Sequence, residues 1–238
     1  MLKVKNITKA FKDRIVLNRI TAFFPVGQIV GILGPNGAGK TTLFSILAGI
    51  SQADSGTIEL NGKDITNLKV HRRSKAGIVY LPQDASIFRG LSVEDNIRAI
   101  LEITYFSKNK VKSTLDDLLE AFSLSHLRTT KATLLSGGER RKVEIARALA
   151  TSPMFLMLDE PFSGIDPISV SEIMAIVRNL KDSGIGIIIT DHNVRETLRI
   201  MDQGYILVNG KILIHGTPQD IVNDENTRKQ YLGETFRV

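Results

Sequence analysis

The hydrophobic positions of this chain follow two different repeats, which together outline its elements. Alternating apolar residues over positions 2–11 and 15–24 predict two antiparallel strands. Continuous apolar runs are typical of the buried strands of a parallel sheet, and they occupy positions 28–33, 77–81, 155–158 and 185–190. Apolar residues at helical spacing predict helices between these runs, over 41–48, 139–150 and 167–183. Strands that alternate with helices predict an α/β core.

Positions 92–127 interrupt that alternation with helical pattern alone. Ser92 is the expected N-cap of the first segment. A strand over 56–60 and a hairpin turning at Asn209-Gly210 are also predicted, and Thr217 to Asp220 is expected to cap a terminal helix. We therefore predict one domain over 1–238, with a core (1–91 and 128–216), a helical subdomain (92–127) and a helical tail (217–238).

A glycine-rich stretch lies where the predicted strand 28–33 meets the following helix. It consists of Gly34, Pro35, Asn36, Gly37, Ala38, Gly39, Lys40, Thr41 and Thr42. Glycines let several backbone N–H groups converge on one anion, and the helix N-terminus adds its positive dipole. Lys40 is predicted to reach the β- and γ-phosphates of a nucleotide, and Thr41 to bind Mg²⁺. A chance match to this pattern is expected in on the order of one chain in a hundred.

Polar side chains follow three other buried runs. Asp159 and Glu160 end one of them, and two buried carboxylates are costly unless a cation or a reaction justifies them. Asp159 suits Mg²⁺, and Glu160 suits the base that activates water. Gln83 could reach both the metal and the water, and His192 could donate to the γ-phosphate. Taken singly, Gln83 is better explained as a polar loop residue and His192 as a structural one, so both gain weight only together with the other motifs.

Composition adds little that is specific. The chain has 42% hydrophobic and 24% charged residues, a formal net charge of +6 and no Cys, which excludes disulfides and thiolate metal sites. Basic clusters at 71–73 and 140–142 are expected mostly on a solvated surface. The apolar runs are too short to span a membrane, so a role at a membrane would need other chains. Phe11 is compatible with stacking on a purine or with a core position.

The order of these motifs resembles that of ABC-type ATPases over essentially the whole chain. The resemblance includes the signature stretch Leu135, Ser136, Gly137, Gly138 and Glu139, and a loop containing Asp166. It implies an α/β P-loop NTPase core with an N-terminal antiparallel β subdomain and an inserted α-helical subdomain. It also implies ATP and Mg²⁺ as cofactors, Phe11 as the adenine-stacking residue, and a homodimer. In that dimer Ser136, Gly137, Gly138 and Glu139 would close over ATP bound to the partner.

Within that family, three stretches resemble the cytoplasmic ATPase of lipopolysaccharide export transporters. They are positions 82–89, 191–197 and 231–237. This resemblance implies two polytopic inner-membrane subunits whose coupling helices dock near Phe88 and Arg89, a place on the cytoplasmic face of that membrane, and no nucleic acid partner. Gly90 departs from the basic residue expected there. Two alternatives stay open: a branched-chain amino acid type importer ATPase, and a soluble ABC ATPase of iron–sulfur cluster assembly.

Overall fold

A computed structural model describes residues 1–233 and 236 of the chain. The strands are β1 (Leu2–Phe11), β2 (Arg14–Phe24), β3 (Ile29–Leu33), β4 (Ser55–Leu60), β5 (Lys63–Asp64), β6 (Ile78–Leu81), β7 (Phe155–Asp159), β8 (Gly186–Thr190), β9 (Gln203–Val208) and β10 (Lys211–Gly216). The helices are α1 (Lys40–Ala48), α2 (Val70–Lys75), α3 (Val93–Thr104), α4 (Lys108–Ala121), α5 (Gly137–Leu149), α6 (Pro167–Asp182), α7 (Val194–Ile200) and α8 (Pro218–Asn223).

The strands form two sheets. One is antiparallel with the order β2-β1-β4-β5, and the other has the order β10-β9-β3-β8-β7-β6. All neighbours in the second sheet are parallel except the terminal β9–β10 hairpin. Leu43, Phe44 and Leu47 of α1 share one buried cluster with residues of both sheets, so α1 packs between them. The predicted fold class, with its antiparallel β subdomain and inserted helices, is confirmed.

The parallel strands bring the predicted site residues to one edge of the sheet. β3 leads into the glycine loop, β7 ends at Asp159, and β8 is followed by Asp191 and His192. Residues on the faces of these strands are fully buried, because helices cover the sheet on both sides. Polar residues at the carboxyl ends of adjacent parallel strands therefore meet in one crevice.

The inserted helices α3 and α4 form an antiparallel pair joined by residues 105–107. Ser92 caps α3 as predicted, since its hydroxyl accepts the Asp95 N–H at 3.1 Å. Leu101 of α3 and Leu115 of α4 are 0% and 1% exposed and join the main core cluster. The insertion is thus an integral part of the hydrophobic core. The exact subdomain boundaries stay a prediction.

The end of the chain differs from the single terminal helix predicted. Thr217 and Asp220 form the expected reciprocal cap of α8. That helix ends at Asn223, because the Asp224 carboxylate accepts the Thr227 N–H at 2.6 Å and starts a new helical turn. The turn continues as a π-helix, Arg228–Leu232. Glu234, Thr235 and Arg237 of the predicted tail motif lie outside the described residues.

The expectation of a solvated surface is wrong for Arg73, which is 1% exposed. Its guanidinium donates to the carbonyls of Ile46 and Leu47 at the end of α1, and to those of Thr66 and Leu68. Burial lowers the pKa of Arg73 to about 10, which still leaves it charged at neutral pH. The sequence pattern does not indicate this burial, because backbone carbonyls bind the guanidinium and every residue type has one. Arg141 in the second basic cluster is likewise buried.

Candidate functional site

The glycine loop after β3 folds tightly against its surroundings. Gly34 has a φ of +149°, and a Cβ there would lie 2.0 Å from the Leu207 carbonyl oxygen. Gly39, with a φ of +105°, is the N-cap of α1 and has no side chain to block the helix N-terminus. The Lys40 ammonium donates to the Gly34 carbonyl at 2.8 Å and the Pro35 carbonyl at 3.0 Å. The loop therefore binds its own lysine through two carbonyls, beside a helix N-terminus that no side chain caps.

A cavity of about 430 Å³ opens beside this loop. It is lined by Phe11, Arg14, Val16, Asn36, Gly37, Gly39, Lys40, Thr41, Thr42, Glu160 and His192. Phe11 is 53% exposed at the rim, so the core interpretation of this residue is wrong. No sequence motif marks Arg14 and Val16, which line the cavity because the β1–β2 hairpin brings them next to the loop. The cavity thus combines an aromatic wall, a cationic loop and an acid.

Asp159 at the end of β7 is 3% exposed and lies in a polar setting. The Tyr80 hydroxyl donates to Asp159 Oδ2 at 2.9 Å. Burial raises the pKa of Asp159, while the Tyr80 hydrogen bond, Arg141 and Lys40 act in the opposite direction. Tyr80 was missed in the sequence, although it lies on β6 only a few residues before the predicted Gln83. A buried carboxylate with few partners is a suitable metal ligand.

Glu160 is held by its backbone and its side chain. It is one of the few non-glycine residues with positive φ, at +48°, and its N–H donates to the Thr190 carbonyl at 2.7 Å. Its Oε1 lies 2.6 Å from His192 Nε2, whereas its buried Oε2 has no hydrogen-bond partner among the described residues. Burial raises the pKa of Glu160, and His192 opposes that rise. Glu160 borders the cavity, and its Oε2, although buried, is free to accept a proton from a water that reaches it.

Asp191, next to His192, has a structural role in this group. It is 2% exposed, and its two carboxylate oxygens accept the backbone N–H groups of Phe162 at 2.9 Å and Asn193 at 2.8 Å. Burial raises its pKa while these hydrogen bonds lower it. The contacts tie the loop after β7 to the loop after β8, and so fix the separation of Glu160 and His192.

Gln83 lies in a different cavity from Lys40 and Thr41. It is exposed and lines a smaller hollow of about 130 Å³ with Gly137, Arg141 and Glu160. Among the residues that the structure describes, only Glu160 borders both cavities. In this structure Gln83 is therefore on the same side as the predicted base but is not part of the loop pocket.

The signature stretch opens α5 with a complete capping box. Ser136 accepts the Glu139 N–H at 3.3 Å, and Glu139 Oε2 accepts the Ser136 N–H at 2.8 Å. These hydrogen bonds lower the pKa of Glu139. Neither Ser136 nor Gly138 lines the cavity at the glycine loop. Asp166 similarly caps α6 by accepting the N–H groups of Ile168 and Ser169.

The oxygen donors around Lys40 fit a magnesium–nucleotide complex rather than a free-standing metal site. No group of three or more His, Cys, Asp or Glu residues is arranged for a metal within residues 1–233 and 236. Mg²⁺ in nucleotide sites takes one or two protein oxygens together with phosphates and waters. The Thr41 hydroxyl in the cavity and the buried Asp159 carboxylate, which acts electrostatically on Lys40, would supply that number.

Phe88 and Arg89, the predicted docking residues, lie on the surface near the start of α3. Phe88 is 43% exposed, with the Arg147 guanidinium 4.6 Å from its ring centre. Its backbone exchanges two hydrogen bonds with the Asn96 side chain, of 2.8 and 3.1 Å. Arg89 lines a hollow of about 270 Å³ with Ile87, Thr133 and Arg140. The ring is therefore held in place while much of it remains open to solvent.

Comparison with known proteins decides the family. The family model described as "ABC transporter" matches residues 17–163. The chain belongs to the ABC transporter ATPases. It is 50% identical over 238 residues to the lipopolysaccharide export system ATP-binding protein LptB of Escherichia coli, covering all of this chain and 99% of LptB. It is 53% identical to an uncharacterized ABC transporter ATP-binding protein of Rhizobium meliloti, covering all of this chain and 88% of that protein.

Solved ABC cassettes share the fold. A nucleotide-free cassette matches with a TM-score of 0.88, 29% identity and coverage of 98% of this chain and 99% of that one. A cassette in its ADP conformation matches with a TM-score of 0.87 and 31% identity, with the same coverage. ATP is thus the nucleotide of this ABC ATPase and its hydrolysis is the reaction. Within the described part of the chain, no helix is long and apolar enough to cross a membrane.

Proposed function

We propose that this ABC ATPase energises the export of lipopolysaccharide from the inner membrane, working at its cytoplasmic face. The likeness to E. coli LptB supports this most strongly, because it extends over the whole of this chain at 50% identity and includes the tail. The exposed, backbone-anchored Phe88 adds a surface suited to a membrane subunit. The two 53% identical relatives are described only as ABC transporter ATP-binding proteins and favour no other cargo.

In the proposed reaction the glycine loop binds the phosphates of ATP. Lys40 leaves the Gly34 and Pro35 carbonyls to contact the β- and γ-phosphates, and Phe11 stacks on the adenine. Mg²⁺ would be held by Thr41 and Asp159, and would neutralise charge that develops on the phosphates. Arg14 at the rim is a further cation for the phosphates or the ribose.

Glu160 is the proposed general base of hydrolysis. Its free Oε2 accepts a proton from the attacking water, while Oε1 stays bound to His192. The raised pKa of Glu160 makes it a better proton acceptor than an exposed glutamate. Gln83 and Arg141 line the smaller hollow, which also borders Glu160, and from there they orient the water.

We further propose that two copies of the chain form the working ATPase. Ser136, Gly137, Gly138 and Glu139 present a helix N-terminus that does not line the pocket of its own chain. A second copy related by a two-fold axis would place this N-terminus over the γ-phosphate, which gives two composite sites. ATP binding then holds the copies together, and hydrolysis releases them.

The membrane partners are proposed to be two polytopic subunits whose coupling helices dock at Phe88 and Arg89. α5 connects that surface to the signature stretch. Ser86 donates its N–H to Glu144 at 2.7 Å, and Arg147 donates to the Ser86 carbonyl at 2.7 Å. Glu144 and Arg147 both lie on α5, whose N-cap is Ser136. A coupling helix that moves Phe88 would therefore shift α5, and with it the Ser136 end that lies over the γ-phosphate in the partner's site.

The test is purification of the tagged chain from its native membranes, followed by reconstitution into liposomes. Two membrane subunits should accompany it, and ATP should drive lipopolysaccharide out of the liposomes to an acceptor. Phe88→Ala should reduce the recovered subunits, whereas Ile103→Ala, at an 83% exposed position of α3, should not. Recovery without any membrane subunit would favour a soluble role. ATPase activity stimulated by branched-chain amino acids would favour an importer.

A further inference from the structure

A second concave surface lies between α3 and α4, away from the nucleotide cavity. It has a volume of about 540 Å³, larger than the hollow beside the glycine loop, and shares no lining residue with it. Cavities of roughly 300–1,000 Å³ hold drug-sized ligands. We refer to it as the α3–α4 groove.

The floor of the α3–α4 groove is aliphatic. Val111 and Leu115 line it and are 8% and 1% exposed. The rings of Tyr105 and Phe106 form one wall, and the Tyr105 hydroxyl contacts Ser152 Oγ at 3.0 Å, which anchors that wall to the end of α5. Among the described residues that line the groove, no side chain offers a polar group at the floor, so the buried part of a ligand must be apolar.

Phe106 is left fully exposed at the mouth of this groove, at 107% of its reference area. A phenylalanine buries roughly 150–250 Å² when it is covered. A ligand lying along the floor would cover this ring on one side. The Phe106 ring therefore becomes buried only when a ligand fills the groove.

The rim carries uncompensated positive charge. Arg98 and Arg128 line it but are already paired with Glu94, Asp95 and Asp116 of this chain. Lys108 and Lys112 have no ion-pair partner in the part of the chain that the structure describes. They are four residues apart on α4, so they lie on the same face and repel each other. Among the described residues, Glu102 is the single acid that lines the groove. An anion between the two lysines would relieve their repulsion.

We propose that the α3–α4 groove binds a single-chain anionic amphiphile, such as a fatty acid or an alkyl phosphate. The acid head lies between Lys108 and Lys112, and the chain lies on Val111 and Leu115 beneath Phe106. A flat membrane surface would meet the exposed ring without entering the depression. A sugar or nucleotide would bring polar groups to a floor that cannot hydrogen-bond them.

The experiment titrates the full chain, with methyl-labelled Val and Leu, with dodecyl phosphate below its micelle concentration. The methyl signals of Val111 and Leu115 should shift saturably, and the affinity should fall as salt is raised. Lys108→Glu with Lys112→Glu should weaken binding at least about tenfold, and Phe106→Ser about fivefold. The matched control, Lys63→Glu with Lys69→Glu, changes two exposed lysines elsewhere and should bind like wild type.

Two controls accompany the titration, one for the charge of the head group and one for the folding of the variants. Dodecyl maltoside, which has the same chain and a neutral head, should bind at least about tenfold more weakly. Binding of ATP should be unchanged in every variant, which shows that each is folded. The proposal is overturned if the charge-reversed variant binds dodecyl phosphate like wild type, or if shifts spread over methyls outside the groove. It is also overturned if anionic vesicles or an acidic helical peptide shift the methyl signals of Val111 and Leu115 while dodecyl phosphate does not.

Discussion

Glu160 Oε1 and His192 Nε2 lie 2.6 Å apart, and they join the ends of two neighbouring parallel strands. The glutamate is 9% exposed and the histidine 53% exposed, so the pair runs from the protein interior to the cavity. Thr190 adds a backbone bond to Glu160 at 2.7 Å. The carboxylate is therefore fixed before ATP is bound, which is the pre-organisation that general-base catalysis requires.

Burial of the Glu160 carboxylate should lower the free energy of unfolding, by an amount that depends on pH. Burial raises its pKa above the ordinary 4.5, so the folded protein retains a proton that the unfolded chain has lost. The free energy of unfolding then falls as the pH rises from 4.5 through the folded pKa.

The side chain in Glu160→Gln does not titrate. It should raise the melting temperature of the nucleotide-free protein at pH 8, with a gain that shrinks as the pH approaches 4.5. Scanning fluorimetry at several pH values measures this, and an equal or lower melting temperature at pH 8 would refute it.

Tyr80 is expected to act through Asp159. Tyr80→Phe removes the 2.9 Å hydrogen bond that opposes the burial-induced rise in the pKa of Asp159. A hydrogen bond to a charged group contributes about 1.5–3 kcal/mol, of which part should appear in metal binding. The Mg²⁺ concentration for half-maximal ATPase activity should rise about fivefold. Tyr205→Phe, which removes a hydroxyl bonded to the Phe23 backbone, is the matched control and should leave the Mg²⁺ dependence unchanged. An unchanged Mg²⁺ dependence in Tyr80→Phe would remove this role.

Arg73 is expected to be a major contributor to stability. Arg73→Met leaves four carbonyls without the guanidinium, two of them at the end of the helix that carries Lys40. The free energy of unfolding in urea should fall by at least about 3 kcal/mol. Arg72→Met, at the adjacent exposed position, should change it by less than about 0.5 kcal/mol. Similar values for the two variants would contradict the account.

Asp54 is expected to position the ring of Phe11, which we propose stacks on adenine. Its carboxylate accepts the Lys9 ammonium at 2.7 Å and the Ala10 N–H at 2.6 Å, and Lys9 lies 5.4 Å from the centre of the Phe11 ring. Asp54→Asn should raise the KM for ATP about threefold while kcat changes little, since only binding is affected. Glu59→Gln removes a comparable ion pair with Lys5 on the same sheet and serves as control. A fall in kcat with an unchanged KM would exclude this positioning role.

Much of the fold followed from the sequence because its local signals agree with each other. The glycine loop, the strand ending in Asp159, and the cap at Ser92 each combine a turn, charged or cap residue with an apolar pattern, and all appear where they were predicted. The interrupted tail escaped prediction because Asp224 competes as a second cap within a helical pattern. Both Thr217 and Asp224 cap a helical segment, and propensity alone does not show that the second cap ends the first helix.

The site was only partly predictable for a different reason. Its acids and glycines are marked by sequence neighbours, whereas Tyr80, Arg14 and Arg141 reach it through tertiary contacts. Arg141, for example, donates to the Asp159 carbonyl from α5, at 3.3 Å. A cluster of basic residues gives no sign of which member turns inward. Burial of such groups depends on carbonyls and carboxylates supplied by distant segments.

The central claim is that two copies close around two ATP molecules, each capped by Ser136 of the other chain. It is tested most directly by the molar mass of Glu160→Gln in solution, measured by light scattering with and without Mg²⁺ and ATP. We expect a monomer without nucleotide and twice that mass with it, and a return to monomer when Ser136→Glu is added to block the cap. A mass that stays monomeric with saturating ATP, or a dimer that survives Ser136→Glu, would contradict the account.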